Sequence, residues 1–242
     1  MVEIRFHGRG GQGTVMATIL LAKAFFRDGS HVQSFPLFGV ERRGAPVEAY
    51  LRLDQTEILV RTNVYTPDHV VVLDQTLLES IDVTIGLKKG GWILLNRPSP
   101  PANLDSFSDY SLAVVDATHI ALKNRLGTRT HPIVNTAVMG SLARVLGIPS
   151  IAAISEAIRE EIPRQSKANI KAAETAYNKV KLLEPARDSS SSSTETCTGG
   201  VHKSEIRISK SETISNVQNP KFKTTSLLQK QMSLVRLNVS VI

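Results

Sequence analysis

The chain has 242 residues, 41% of them hydrophobic and 21% charged, with one cysteine and a formal net charge of +7. That balance suits one ordinary core with chain to spare, and it excludes collagen-like, disulfide-stapled and wholly disordered classes. Cys197 alone can neither close an internal disulfide nor hold an iron–sulfur cluster or a Cys-rich zinc site. No stretch approaches the ~20 apolar residues of a membrane-spanning helix. Met1 leads directly into Val2–Phe6 rather than through a basic segment into an apolar run, so a cytoplasmic protein without a secretory signal is expected.

The charge is unevenly placed. Residues 1–184 carry 21 Lys and Arg against 18 Asp and Glu, whereas residues 185–242 carry 8 against 4. The latter segment opens on Asp188 and a run of serines, has Ser or Thr at 18 of its 58 positions, and shows no sustained helical or strand period before about Leu227. Such a composition cannot bury enough apolar surface to offset the entropy of ordering, so 185–242 is expected to be a disordered, low-complexity basic tail. A solvated tail is preferred over a nucleic-acid or membrane contact.

Residues 1–184 alternate strand and helix signals. Val2–Phe6 is a short β-prone run, and Thr14–Arg27 is a long apolar stretch rich in Leu and Ala without Pro or Gly. Its apolar residues, Val15, Ile19, Leu20, Ala22, Phe25 and Phe26, nearly encircle a helix, which predicts burial on two sides, with a second helix layer preferred over a subunit interface. Further β-prone runs fall at His31–Phe35, Val47–Leu53, Val70–Leu73, Trp92–Leu95 and Leu112–Val115, each bounded by Gly, Pro, Asp or Asn. Helical period follows over Pro132–Leu146, closed by Gly147 and Pro149. Ser150 can cap a helix with Ile151, Ile154 and Ile158 on one face, and Pro163 separates it from Arg164–Leu183. Together these predict the α/β class: a doubly wound, mostly parallel sheet with flanking helices.

Between the first strand and the first helix stands His7-Gly8-Arg9-Gly10-Gly11-Gln12-Gly13-Thr14. Glycines there let the backbone turn tightly and approach an anion at a helix N-terminus, where free N–H groups point outward. A dinucleotide site would also need an acidic residue at the end of the second strand, which instead reads Ser34-Phe35-Pro36. The alternative is that the glycines only permit close packing of strand on helix. A second polar cluster, Phe38-Gly-Val-Glu41-Arg42-Arg43-Gly44-Ala45-Pro46, follows the second strand. In the expected topology both loops emerge at the same sheet edge, where Arg9, Arg42 and Arg43 could converge on phosphate oxygens. Equally, Glu41 and Arg42 could form a surface pair while Arg43 anchors a loop or subunit contact.

No phosphate-binding Gly-x-x-x-x-Gly-Lys loop, zinc-protease motif, nucleophile elbow or Cys pair is present, and His7, His31, His69, His119 and His131 lack metal-ligand spacing. Neither catalytic nor metal-binding residues are assigned. Asp74 and Asp116 end strands and are read as helix caps; Asn135 is read as a packing and capping residue.

The glycine turn and the Phe38–Pro46 cluster, with Val71-Val-Leu-Asp74, Gly90-Gly-Trp-Ile-Leu-Leu-Asn96, Val115-Asp-Ala-Thr118 and Asn135-Thr-Ala-Val-Met-Gly140 in that order, resemble the gamma subunit of the 2-oxoacid:ferredoxin oxidoreductases, above all the pyruvate type (pyruvate synthase). The resemblance covers residues 1–184. It implies a Rossmann-like domain in a complex with alpha, beta and delta-type subunits that oxidatively decarboxylates pyruvate, forms acetyl-CoA and passes electrons to ferredoxin. Thiamine diphosphate and iron–sulfur clusters then belong to partner subunits. This chain would help hold the phosphates of coenzyme A through Gly8, Arg9, Gly10, Gly11, Gln12, Gly13, Arg42 and Arg43. The alternative is a purely structural subunit of a branched-chain or other 2-oxoacid enzyme. No cluster-binding cysteine run lies between Val201 and Ile242, so a fused delta portion is not expected.

Overall fold

The computed structural model describes residues 1–37 and 44–183, so the expected tail and the residues Arg42 and Arg43 lie outside the described residues. In chain order the elements are β1 (Val2–Arg9), α1 (Thr14–Arg27), β2 (His31–Leu37), β3 (Pro46–Asp54), β4 (His69–Val72), β5 (Trp92–Asn96), β6 (Ser111–Val115), α2 (Ala117–Lys123), α3 (Asn135–Leu146), α4 (Ile151–Glu161), α5 (Ser166–Lys179) and β7 (Lys181–Leu183). The strands form one seven-stranded sheet in the order β2-β3-β1-β4-β5-β6-β7. β1, β4, β5 and β6 pair in parallel, β3 lies antiparallel between β2 and β1, and β7 closes the other edge antiparallel to β6. Five of these seven strands therefore point one way, and the α/β class with a mostly parallel sheet and flanking helices holds.

Two apolar layers flank this sheet, and they are covered differently. Ile4, Phe6, Leu51, Val71, Leu94 and Ala113 face one side, where they pack with the buried residues of all five α-helices. The alternate residues Val70, Val72, Ile93, Leu95 and Leu112 face the other side and meet Val83, Leu87, Ile81 and Phe107, which come from connecting segments and single 3-10 turns. The winding expected to place helices on both faces thus gathers them on one. The connections after β4 and β5 carry only 3-10 turns, Gln75–Glu79 and Asp105–Phe107, which are too short to form a helical layer.

α1 is buried on two sides, by the sheet and by α4, as its residue pattern predicts. The belt is incomplete, because Phe26 is 56% exposed. Asp28, at the end of α1, reaches the amide of Ser150 at 2.6 Å, and Ser150 in turn caps α4 through the amide of Ala153. Gly147 closes α3 in the left-handed conformation, as its place after Leu146 suggests. The reading of Arg164–Leu183 as one helix needs correction. Val180 is extended, the helix stops at Lys179, and Lys181–Leu183 pair with β6. Likewise α3 begins at Asn135 rather than Pro132, and the helix expected after Asp116 is the short α2. Among the described residues no helix is long and apolar enough to cross a membrane.

Candidate functional site

The carboxyl ends of β1, β4, β5 and β6 bring Arg9, Asp74, Arg97 and Asp116 to one sheet edge. This is where ligands bind in open α/β sheets. The glycine turn forms part of it. β1 runs on through Gly8 to Arg9, beyond the predicted end at Phe6, because Gly8 and Arg9 pair with Val47 and Pro46. A side chain at position 8 would collide with Thr14, whose Oγ1 lies 2.0 Å from the place a Cβ would take. Gly13 is the N-cap of α1 with a φ of 80°, and a Cβ there would lie 2.8 Å from Asn135 Nδ2. Close strand-to-helix packing, the alternative kept open by the sequence, therefore accounts for Gly8, whereas Gly13 is held by its left-handed backbone and its approach to Asn135 of α3.

The topological expectation that the two loops lie side by side holds for the described part of the second. The amide of Gly10 donates to the Ala45 carbonyl at 2.9 Å, and that of Gly44 donates to the Gly10 carbonyl at 3.0 Å. Arg9 tightens this stitch. Its guanidinium donates to the Gly44 carbonyl at 3.1 Å and to Thr76 Oγ1 at 2.8 Å, and its Nε lies 3.4 Å from Asp74. Gln12 accepts the Arg9 amide at 2.9 Å and donates to Asp74 at 2.6 Å. Asp74 also accepts the amide and hydroxyl of Thr76, so it caps the following 3-10 turn as the sequence suggests and also ties that turn to the glycine loop. Burial pushes the Asp74 carboxyl up, but the bonds from Thr76 and Gln12 and the charge of Arg9 outweigh it and hold it below the usual range.

The structure thus brings Gly8, Arg9, Gly10, Gly11, Gln12 and Gly13 together, with the side chains of Arg9 and Gln12 engaged within the protein. At the head of α1, no side chain caps the helix, and no described residue accepts the amides of Thr14, Val15 and Met16. These groups carry the positive end of the helix dipole.

Beside the turn lies a cleft of about 460 Å³, lined by Gln12, Asp74, Thr76, Asn96, Arg97 and Thr118 among others. Asn96 braces its floor by donating to the Leu73 carbonyl at 2.7 Å and to Thr118 Oγ1 at 3.1 Å. Asp116 caps α2 through the His119 amide at 2.8 Å, as expected. Sequence reading missed Asn96 and Arg97 as members of the site and gave Asn135 no place beside Gly13. The available signal was position, since Asn96 and Arg97 directly follow the apolar run that ends at Leu95.

His7 lies just before the turn, on the helix-free side of the sheet, 2% exposed and with neither ring nitrogen hydrogen-bonded among the described residues. Burial lowers its pKa from 6.5 to about 4, against the pull of the Glu48 carboxylate 3.5 Å away. Above pH 6.5 the ring is neutral whether folded or unfolded. From pH 6.5 down to about 4 the unfolded chain takes a proton that the native ring refuses, so stability falls by on the order of 3 kcal/mol as pH drops through that window. Urea midpoints measured between pH 7 and 4.5 should show a steeper loss for the natural protein than for His7→Phe; parallel slopes would mean that His7 titrates normally.

The model of the pyruvate ferredoxin/flavodoxin oxidoreductase family matches residues 3–179. The chain belongs to that family. It is 48% identical over 188 residues to the pyruvate/ketoisovalerate oxidoreductases common subunit gamma of Thermococcus kodakarensis, covering 76% of this chain and 100% of that protein. To the pyruvate synthase subunit PorC of Methanocaldococcus jannaschii it is 50% identical over 181 residues, covering 74% and 97% of the two chains. The crystal structure of the pyruvate oxidoreductase subunit PORC of Thermotoga maritima superposes with a TM-score of 0.63 at 36% identity, covering 76% of this chain and 98% of that one. The family match thus takes in the glycine turn and the sheet from β1 to β6.

Proposed function

We propose that this chain is the gamma subunit of a pyruvate:ferredoxin oxidoreductase, and that it provides an anion-binding wall for coenzyme A without catalytic residues of its own. The whole-length similarity to gamma subunits supports its place in the complex. The observation that carries its role is the uncapped head of α1, opening at the carboxyl edge beside Gly44 and Ala45. Coenzyme A carries several negative charges, and helix amides aided by guanidinium groups can orient it while its thiol reaches a centre on a partner chain. Thiamine diphosphate and iron–sulfur chemistry would be supplied by the alpha, beta and delta-type partners, with ferredoxin as the acceptor.

Within this reading the eight residues singled out by sequence divide into two groups. Gly8, Gly11 and Gly13 shape the turn, while Gly10, Arg9 and Gln12 hold it against Ala45, Gly44 and Asp74. Contact with phosphate falls to the amides of Thr14, Val15 and Met16 and to Arg42 and Arg43. The chain would not select the 2-oxoacid, in keeping with a relative described as the common subunit of pyruvate and ketoisovalerate enzymes.

The test uses the purified complex. With Arg42 and Arg43 both replaced by alanine, the KM for coenzyme A should rise about tenfold or more, as expected for losing charge-assisted bonds, while the KM for pyruvate holds. Equal changes in both constants, or loss of partner subunits with unchanged kinetics in what remains, would favour a scaffolding role instead.

A further inference from the structure

We infer that Arg97 is a phosphate-recognising residue of the same edge, a role that rests on the coenzyme A reading above and extends it to a residue outside the glycine turn. Four arginines lie on or directly beyond the described strands, and the guanidinium groups of three of them are hydrogen-bonded within the protein. Arg5 donates to the carbonyls of Val83 and Ile85, Arg9 to Gly44 and Thr76, and Arg52 to Glu3, Gln33, Val60 and Thr62. Arg97 differs. Its amide is fixed to the Val115 carbonyl at 2.9 Å, yet among the described residues no atom of its guanidinium finds a hydrogen-bond acceptor and no carboxylate lies within ion-pair distance; the buried Nε of Arg5 is also unpartnered, but its Nη2 holds two carbonyls. An arginine cannot shed its charge to relieve such a position, and its planar fork matches the oxygens of a phosphate.

The surroundings point the same way. Arg97 stands where two clefts meet, the one of about 460 Å³ that reaches Gln12 and another of about 670 Å³ on the helix-free side. Of the four carboxylates that line the two clefts, three are hydrogen-bonded within the protein and the fourth, Glu79, is exposed. Asp74 accepts from Thr76 and Gln12 beside Arg9, Asp116 accepts the His119 amide, and Asp82 accepts the amide and hydroxyl of Thr84. Thr118 Oγ1 accepts from Asn96, so its own proton is available to a ligand oxygen. An unpaired cation and a free hydroxyl donor, beside carboxylates of which three are held in hydrogen bonds, together make an edge suited to a phosphate ester or diphosphate.

In the intact complex, Arg97→Gln should raise the KM for coenzyme A about tenfold and leave that for pyruvate unchanged, whereas Arg97→Lys, which keeps the charge, should retain subunit assembly and lie between the two. Inorganic diphosphate should compete with coenzyme A less well in Arg97→Gln than in the natural complex. With 3′-dephospho-coenzyme A, a KM equal in both proteins assigns Arg97 to the 3′-phosphate, and a persisting tenfold gap assigns it to the diphosphate. An unchanged KM for coenzyme A in Arg97→Gln, or a rise shared by pyruvate, overturns the inference. If the Arg42/Arg43 double substitution raises the coenzyme A KM while Arg97→Gln does not, Arg97 alone is excluded; if neither does, the carrier reading falls with it.

Discussion

Replacing Gly140 by alanine is expected to destabilise the protein by about 3 kcal/mol, the upper part of the overpacking range. In an ordinary helix interior the same change stabilises by roughly 1 kcal/mol, because glycine has more backbone freedom to lose on folding. Here the sign reverses. Gly140 sits in the middle of α3, where it is crossed by α5, and a Cβ at that position would lie 2.0 Å from the carbonyl oxygen of Ala173 and 2.6 Å from its carbonyl carbon. The obstacle is backbone rather than the end of a flexible side chain, so relief requires the two helices to separate. Ala137, Ala143, Ala172, Ala173 and Ala176, all buried in the same layer, allow the close approach and offer no long side chain that could repack. Chemical denaturation of natural and Gly140→Ala proteins measures the effect directly. A variant as stable as the natural protein would mean that α3 and α5 can move apart freely.

A comparable loss, about 3–5 kcal/mol, is expected for Arg52→Met. Arg52 is 1% exposed near the end of β3, and its guanidinium pairs with Glu3 at 2.8 Å and donates to Gln33 Oε1 at 3.0 Å and to the Thr62 carbonyl at 2.6 Å. Methionine fills similar volume but leaves the Glu3 carboxylate facing an apolar group and strands two carbonyls of the segment that follows β3. The cost is thus mainly that of abandoned partners. Removing the carboxylate as well, in Glu3→Gln with Arg52→Met, should recover part of the loss, and a double-mutant cycle gives the coupling. Additive effects of the two substitutions would show that the pair does not act as a unit.

Much of this architecture is written locally. The apolar run of α1, the glycines that open it, Ser150 as a cap and Gly147 as a stop are decided by neighbours within a few residues, and each stands where the pattern places it. Pairing partners are a longer-range matter. Nothing in Val47–Leu53 announces that β3 inserts antiparallel between β2 and β1, because a run buried on both faces fits a parallel or an antiparallel neighbour equally. The short Lys181–Leu183 segment carries too few residues to separate helical from strand period. At the site, the glycine turn was legible as a turn, but the engagement of Arg9 and Gln12 depends on Asp74 and Thr76, more than 60 positions away, and that contact exists only once β1 and β4 are adjacent.

The stitch between the glycine loop and its neighbours has a kinetic corollary. Arg9 alone links the Gly44 segment, the turn after β4 and its own loop, while Gln12 braces the same corner from within. The rim that surrounds the head of α1 is therefore preorganised during folding rather than assembled around an arriving guest. Association at this rim should be governed by diffusional encounter and ionic strength, with no slow closing step, so its on-rate should fall with added salt while single-exponential kinetics persist.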